Sequence, residues 1–215
     1  RSDMITFTWA LKDMQIVADL TDKAGLSLPI TGAIKELVKD ADVLIESFRP
    51  GTFERWGLGP EVLHAINPRL VYCEISAFGA AGPMAMRPGY EPLIQAFSGL
   101  CAINGGPDDP PMRSGASICD QGSGMWAVIG ALALLQRRHV TGRGGVVGTS
   151  LLETALVWTG QKSDAYINEG QLPERHRSGH PGFVPYEAFD TSDAPLLICY
   201  GNDRLLAKLD RKSVV

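Results

Sequence analysis

Short apolar runs alternate along this chain with segments whose apolar residues recur at helical spacing, the pattern of βα units and a largely parallel sheet. In "TGAIKELVKDADVLIESF", Thr31 is placed to cap a helix carrying Ile34, Leu37 and Val38 on one face, and "DVLIESF" follows as a strand. Pro60 suits the first turn of a helix through "EVLHAI", "NP" ends it, and "RLVYCEIS" is the next strand. That strand leads into the glycine- and proline-rich loop "AFGAAGPMAMRPGY". "EPLIQAFSGLCAI" is expected to be helical and "NGGPDDPPMRSG" to be turns. From Met125 to Leu135 apolar residues occupy every face of a helix, which predicts burial in the core. A short strand within "TGRGGVVGTS" and a helix through "LLETALVWTGQKSDAYIN" come next.

The composition then shifts. "NEGQLPERHRSGHPGFVP" is polar and proline-bearing, as a linker would be, and beyond it "YEAFDTSDAPLLICYGNDRLLAKL" has the order strand, turn, strand, helix. These patterns predict an α/β protein with a Rossmann-like parallel sheet, a large domain over residues 1–180 that includes the linker, and the start of a smaller α/β domain over 181–215. No glycine-rich β-to-α turn appears near the N-terminus, so part of the large domain and most of the small one are expected to lie outside this sequence.

Composition narrows the functional classes. The 215 residues, 45% of them hydrophobic, suffice for one substantial core. With 20 Lys+Arg against 24 Asp+Glu, a formal net charge of -4 gives no electrostatic reason to expect nucleic acid or an anionic membrane as partner. No run approaches the ~20 apolar residues that span a bilayer. "RSDMITFTWALKD" lacks the order of a secretory signal, so a cytoplasmic location is expected, with a mitochondrial or peroxisomal one left open. Cys73, Cys101, Cys119 and Cys199 form no CxxC pair and have no histidines at ligand spacing, which points to buried free thiols and to no metal site.

Candidate chemistry centres on "GASICDQGSGMWAVIG". Asp120 falls just before the first turn of the apolar helix, where unpaired N–H groups and the helix dipole favour an ionised carboxylate. Gly122 and Gly124 let a bulky group approach the backbone, and a carboxylate so placed can attack an activated acyl carbon. Aspartate is also among the commonest N-caps, and on physics alone that plainer role stands beside the nucleophile.

Three separated stretches carry a resemblance. "ADVLIESFRPGTFERWGLGPEVLHAINPRLVYCEISAFGAAGPMAMRPGYEPLIQAFSGL", "PPMRSGASICDQGSGMWAVIGALALLQRRHVTGRGGVVGTSLLETAL" and "GHPGFVPYEAFDTSDAPLLICYGND" resemble the family III CoA-transferases, the group related to formyl-CoA transferase and carnitine CoA-transferase. A weaker likeness extends back through "MQIVADL". The resemblance implies that Asp120 attacks an acyl-CoA thioester and that CoA passes through an aspartyl-CoA thioester to a second carboxylic acid. CoA is then a substrate, with no permanently bound cofactor. The resemblance further implies that Phe48 packs beside the adenine-bearing part of CoA and that Arg55 reaches its phosphates, a role suited to a forked, permanently charged guanidinium. Ser47 stands where the family usually has asparagine. Arg87 adds a possible phosphate or carboxylate contact, and Tyr90 lies near the pantetheine arm. The implied assembly is an interlocked homodimer.

The related α-methylacyl-CoA racemases resemble this segment with a histidine at the position of Tyr90. Moving a proton between the faces of an α-carbon needs two acid/base groups, and a tyrosine with an ordinary pKa of about 10 serves that exchange poorly near neutrality. Transferase is therefore favoured over racemase, and a catalytically incompetent CoA-binding homologue is the remaining alternative. His64 and His139 are expected to be solvated, His176 to lie in the linker, and His180 to order backbone or bind.

Overall fold

The computed structural model describes residues 29–210, so the likeness through "MQIVADL" falls outside the described residues. The described chain forms two compact units, 29–76 with 125–149 and 77–124 with 150–210.

The first unit is an α/β layer. Its elements are α1 (Pro29–Val38), β1 (Val43–Glu46), α2 (Thr52–Arg55), α3 (Pro60–Ile66) and β2 (Val71–Ser76), then most of α6 (Ile118–Thr141) and β3 (Gly145–Ser150). The strands form one sheet in the order β1-β2-β3, with β1 and β2 parallel and Val43 opposite Val71. Side chains alternate along a strand, so β2 serves two cores. Tyr72 joins Val38, Phe53, Leu58, Leu63 and Leu70 on one face, while Val71 and Cys73 meet Ala131 of α6 on the other. A strand covered on both faces explains the unbroken apolar run in "LVYC".

Polar ties fix the ends of these elements. Asn67 donates from Nδ2 to the carbonyls of Val38 and Ala41, both at 2.9 Å, closing the C-terminal end of α1. Arg138, near the end of α6, donates to the Arg69 carbonyl and to Asp42 Oδ1 at 2.7 Å. Gly144 is dictated by space, because a Cβ there would lie 1.9 Å from the Leu70 carbonyl oxygen.

The expectation of a helix buried all round is corrected. Ala127 and Ala131 are buried, but Met125, Trp126, Val128, Ile129 and Leu132 are exposed. The small residues form the face that can approach the strands: a Cβ on Gly130 would lie 2.6 Å from Val147 Cγ1. The bulky residues take the other faces. By length and composition α6 could cross a membrane, contrary to the expectation from sequence, yet its small-residue face and Arg138 are committed to this unit.

The second unit contains α4 (Glu91–Phe97), α5 (Leu100–Ile103), the first turns of α6, α7 (Leu151–Trp158), α8 (Gly160–Glu169), an antiparallel hairpin of β4 (Tyr186–Phe189) and β5 (Leu196–Cys199), and α9 (Asp203–Asp210). Two segments expected as single helices are each divided. Gly99, at φ 86°, separates α4 from α5 in a conformation that stops a helix, and Thr159 separates α7 from α8. Helix α1 begins two residues before Thr31, which therefore lies inside it rather than capping it.

Candidate active site

Helix α6 begins with an unusual arrangement of acceptors. The first four N–H groups of a helix lack partners within it, and each must be satisfied elsewhere. Here Ile118 donates to the Ala116 carbonyl, and Gln121, donating to that of Ser117, makes the first regular helical bond. The two between them, Cys119 and Asp120, donate to one side chain from another helix: Glu91 Oε1 accepts from Cys119 N at 3.2 Å and Glu91 Oε2 from Asp120 N at 2.9 Å. Glu91 opens α4, is 5% exposed, and also accepts from Gln95 Nε2 at 2.7 Å. Gln95, one turn on and fully buried, takes the Ser114 N–H on its own Oε1 at 2.8 Å.

This arrangement decides the role of the Asp120 side chain within the helix. It is not the N-cap: Asp120 is the third residue of α6, and the first-turn N–H groups are already taken. Among the described residues its carboxylate accepts no hydrogen bond, and the residue is exposed. The N–H groups of residues 119 and 120, expected with the helix dipole to favour an ionised Asp120, are taken by Glu91 instead. Burial of its surroundings and the nearby Glu91 push the Asp120 pKa up from the usual aspartate value. A carboxylate with a raised pKa is the more basic one, and the stronger nucleophile when ionised.

The adjacent thiol does not compete. Cys119 is fully buried, and desolvation together with Glu91 pushes its pKa up to about 12. The two glycines behave differently. At Gly122 a Cβ would lie 2.5 Å from Thr154 Cγ2 and 3.1 Å from Trp158 Cζ2, so its space is taken by α7 and not by a ligand. At Gly124 nothing lies within 4 Å, and the approach expected from sequence is open there. Ser123 fastens this turn, donating to the Cys119 carbonyl at 2.7 Å and pairing with Thr154 Oγ1 at 2.9 Å.

Tyr90 is the residue before α4, with its side chain 82% exposed, and it is chain neighbour to Glu91. The structure thus brings Tyr90 and Asp120 to adjoining helix starts. Arg87 sits in a turn closed by its N–H to the Met84 carbonyl, and its exposed side chain makes no hydrogen bond among the described residues.

Ser47, Phe48 and Arg55 gather in the first unit. Ser47 follows β1 and is exposed. Phe48 is half-buried and packs against Phe53 and Trp56, with ring centroids 5.2 and 5.1 Å apart, so one side belongs to the core cluster. Arg55 is exposed at the end of α2, with Nη2 donating to Thr52 Oγ1 at 3.2 Å. A group that pattern did not single out joins Phe48: Glu46, 9% exposed, accepts from the Phe48 N–H at 2.7 Å. Burial raises its pKa to about 7 against that hydrogen bond, with Glu74 and Glu54 adding to the rise.

The histidines divide as well. His64 is not simply solvated, since its Nε2 lies 3.0 Å from the Leu70 carbonyl in a half-buried position. His180 Nδ1 accepts from the Gly182 N–H at 3.0 Å, an ordering of backbone. Among the described residues no group of His, Cys, Asp and Glu could hold a metal ion, and the four cysteines are free. Cys199, expected to be buried, is exposed on β5.

Comparison with known proteins extends this picture. The family model described as CoA-transferase family III matches residues 14–212. The acetyl-CoA:oxalate CoA-transferase of Acetobacter aceti is 38% identical over 195 residues, which cover 90% of this chain and 49% of that protein. The succinate–glutarate CoA-transferase of Agrobacterium fabrum is 34% identical over 194 residues, with 90% and 47% covered. Among solved structures, a CAIB/BAIF family protein from Brucella suis superposes with a TM-score of 0.75 at 35% identity, covering 85% of this chain and 48% of that one. The chain spans about half the length of the curated relatives it matches.

Proposed function

Because the chain belongs to CoA-transferase family III, we propose that it is part of an enzyme moving CoA from an acyl-CoA donor to a small carboxylic acid, with Asp120 as the acyl-accepting nucleophile. The observation that carries this reading is the uncommitted Asp120 carboxylate, exposed and accepting no hydrogen bond while another residue caps the helix. A structural aspartate at a helix start would spend its oxygens on those N–H groups.

In the proposed sequence an Asp120 oxygen attacks the thioester carbonyl, the C–S bond breaks, and CoA leaves as thiolate with the acyl group held as a mixed anhydride. The thiolate attacks the Asp120 carbonyl carbon, releasing the donor as a free carboxylate and leaving an aspartyl-CoA thioester. The acceptor carboxylate attacks that thioester and expels the thiolate again. Attack of the thiolate on the acceptor's carbonyl then forms the new acyl-CoA and restores the Asp120 carboxylate. Each step exchanges one activated acyl bond for another, so a carboxylate suffices as nucleophile provided water is kept away.

Arg55, Phe48 and Ser47 are proposed to bind CoA, and Arg87 and Tyr90 to contact the pantetheine arm or a substrate carboxylate. Tyr90 supports transferase over racemase, since a phenol rather than an imidazole stands at that position. The relatives' names include oxalate, succinate and glutarate, and the class carried over to this chain is a small carboxylic acid. We further propose a homodimer, supported by the exposed apolar side chains Met125, Trp126, Ile129 and Leu132 on α6; a monomeric mass by light scattering at micromolar concentration would contradict it.

Asp120→Asn tests the chemistry. Asparagine keeps the shape, and the helix start is held by Glu91 in either case, so folding and CoA binding should persist while transfer falls by orders of magnitude. Transfer at the parent rate would refute the assignment.

A further inference from the structure

We propose that Glu91 is a positioning residue for Asp120: by accepting the N–H groups of residues 119 and 120 it fixes the first turn of α6 so that the Asp120 carboxylate projects from an immobile backbone. The inference rests on Asp120 being the nucleophile and adds a second residue to that site. A carboxylate is a strong acceptor for backbone N–H groups, and this one is itself immobilised. It accepts from Gln95 Nε2, and Gln95 is held in turn by the Ser114 N–H, so four groups from three segments converge on the start of one helix. None of these contacts engages the Asp120 side chain.

The same placement sets the electrostatics. Glu91 on α4 is the charged group facing Asp120; on its own helix the neighbour is Cys119, which Cys101 of α5 also approaches. Helix α7 presents Thr154 and Trp158 to this turn, neither of which titrates. The Glu91 carboxylate therefore holds the nucleophile still and keeps it more basic than a free aspartate.

The test uses two variants of the intact protein. Glu91→Gln retains shape but turns an amide nitrogen toward donors. The exchange Glu91→Gln/Gln95→Glu keeps the buried charge and the hydrogen bond between the two side chains, while moving the charge one helical turn, about 6 Å, from Asp120. The expectation for both is a fall in kcat of roughly 100-fold, as misplacement of a reacting group by about 1 Å produces, with KM for the acyl-CoA changed less than about threefold. The acid limb of the kcat–pH profile should move to lower pH in the exchange variant, because the neighbouring negative charge is more distant.

A role confined to folding would lower the melting temperature and leave kcat per folded molecule and the acid limb where they were, and that result would overturn the proposal. Failure of both variants to fold would overturn it too, making the pair a structural cap. Asp120→Asn measured in parallel separates the two claims. If that variant transfers CoA at the parent rate, the nucleophile is misassigned; if it is inactive while the Glu91 variants keep the parental kcat and profile, only the positioning role falls.

Discussion

Replacing Gly122 by alanine would place a methyl group 2.5 Å from Thr154 Cγ2 and 3.1–3.2 Å from the Trp158 ring atoms Cζ2 and Nε1. Thr154 is poorly able to yield. Its hydroxyl lies 2.9 Å from the Ser150 carbonyl oxygen and 2.9 Å from Ser123 Oγ, and the residue is 1% exposed. Either the hydroxyl pair breaks or α7 moves away from the first turns of α6. Overpacking a filled interior costs about 1–3 kcal/mol, a lost internal hydrogen bond adds ~1 kcal/mol, and the better helix propensity of alanine offsets ~1 kcal/mol. The net expectation for Gly122→Ala is a destabilisation of ~1–3 kcal/mol. Gly124→Ala is the internal control: nothing lies within 4 Å of its Cβ position, so the propensity gain stands alone and the variant should be more stable by ~0.5–1 kcal/mol. Urea unfolding followed by circular dichroism reads both, with equal m-values as the condition for comparison. If Gly122→Ala is as stable as the parent, or if the two glycines respond alike, the close approach of α7 is wrong.

Three further outcomes follow from the geometry. Arg55→Ala should weaken CoA-ester binding by about 10- to 100-fold, the worth of a charge-assisted hydrogen bond of ~1.5–3 kcal/mol, without loss of fold; unchanged affinity by calorimetry would remove Arg55 from the site. Glu46 has its pKa raised from 4.5 to about 7, so the folded state holds a proton that the unfolded state has lost, and its contribution to stability is full below pH 4.5 and declines as pH rises through about 7. Glu46→Gln should flatten that decline in denaturation curves recorded across this range, and an unchanged slope would contradict the burial of the carboxyl. Cys119, pushed up to about 12, should resist iodoacetamide at pH 8 while the exposed Cys199 is alkylated, as peptide mass can show.

The parts of the fold that pattern revealed are those in which one element's own residues decide. The run "RLVYCEIS" was legible as a strand and holds β2 at Val71–Ser76, and Pro60 with "NP" bounded α3 at Pro60–Ile66. The failures share a physical origin in contacts between distant residues. Glu91 looks like any helix-opening glutamate, and its hydrogen bonds reach residues 28 and 29 positions away. Without that knowledge Asp120 was indistinguishable from an N-cap. Helix α6 has apolar residues on all faces, and only the small side chains at Ala127, Gly130 and Ala131 mark which face meets the sheet. Gly122 and Gly124 are equivalent in sequence, yet one is filled by Thr154 and the other is open. Ser47, Phe48 and Arg55 were singled out by resemblance. The structure shows Phe48 half committed to the core, with Glu46 beneath it holding its backbone.

Covalent trapping tests whether Asp120 carries the acyl group. The intact protein is incubated with an acyl-CoA and then with hydroxylamine, which converts an aspartyl anhydride or thioester to a hydroxamate, and the peptide containing "SICDQGSGM" is weighed. The expected result is a hydroxamate at Asp120 that depends on acyl-CoA and is absent from Asp120→Asn. Modification at another carboxylate, with none at Asp120, would contradict it.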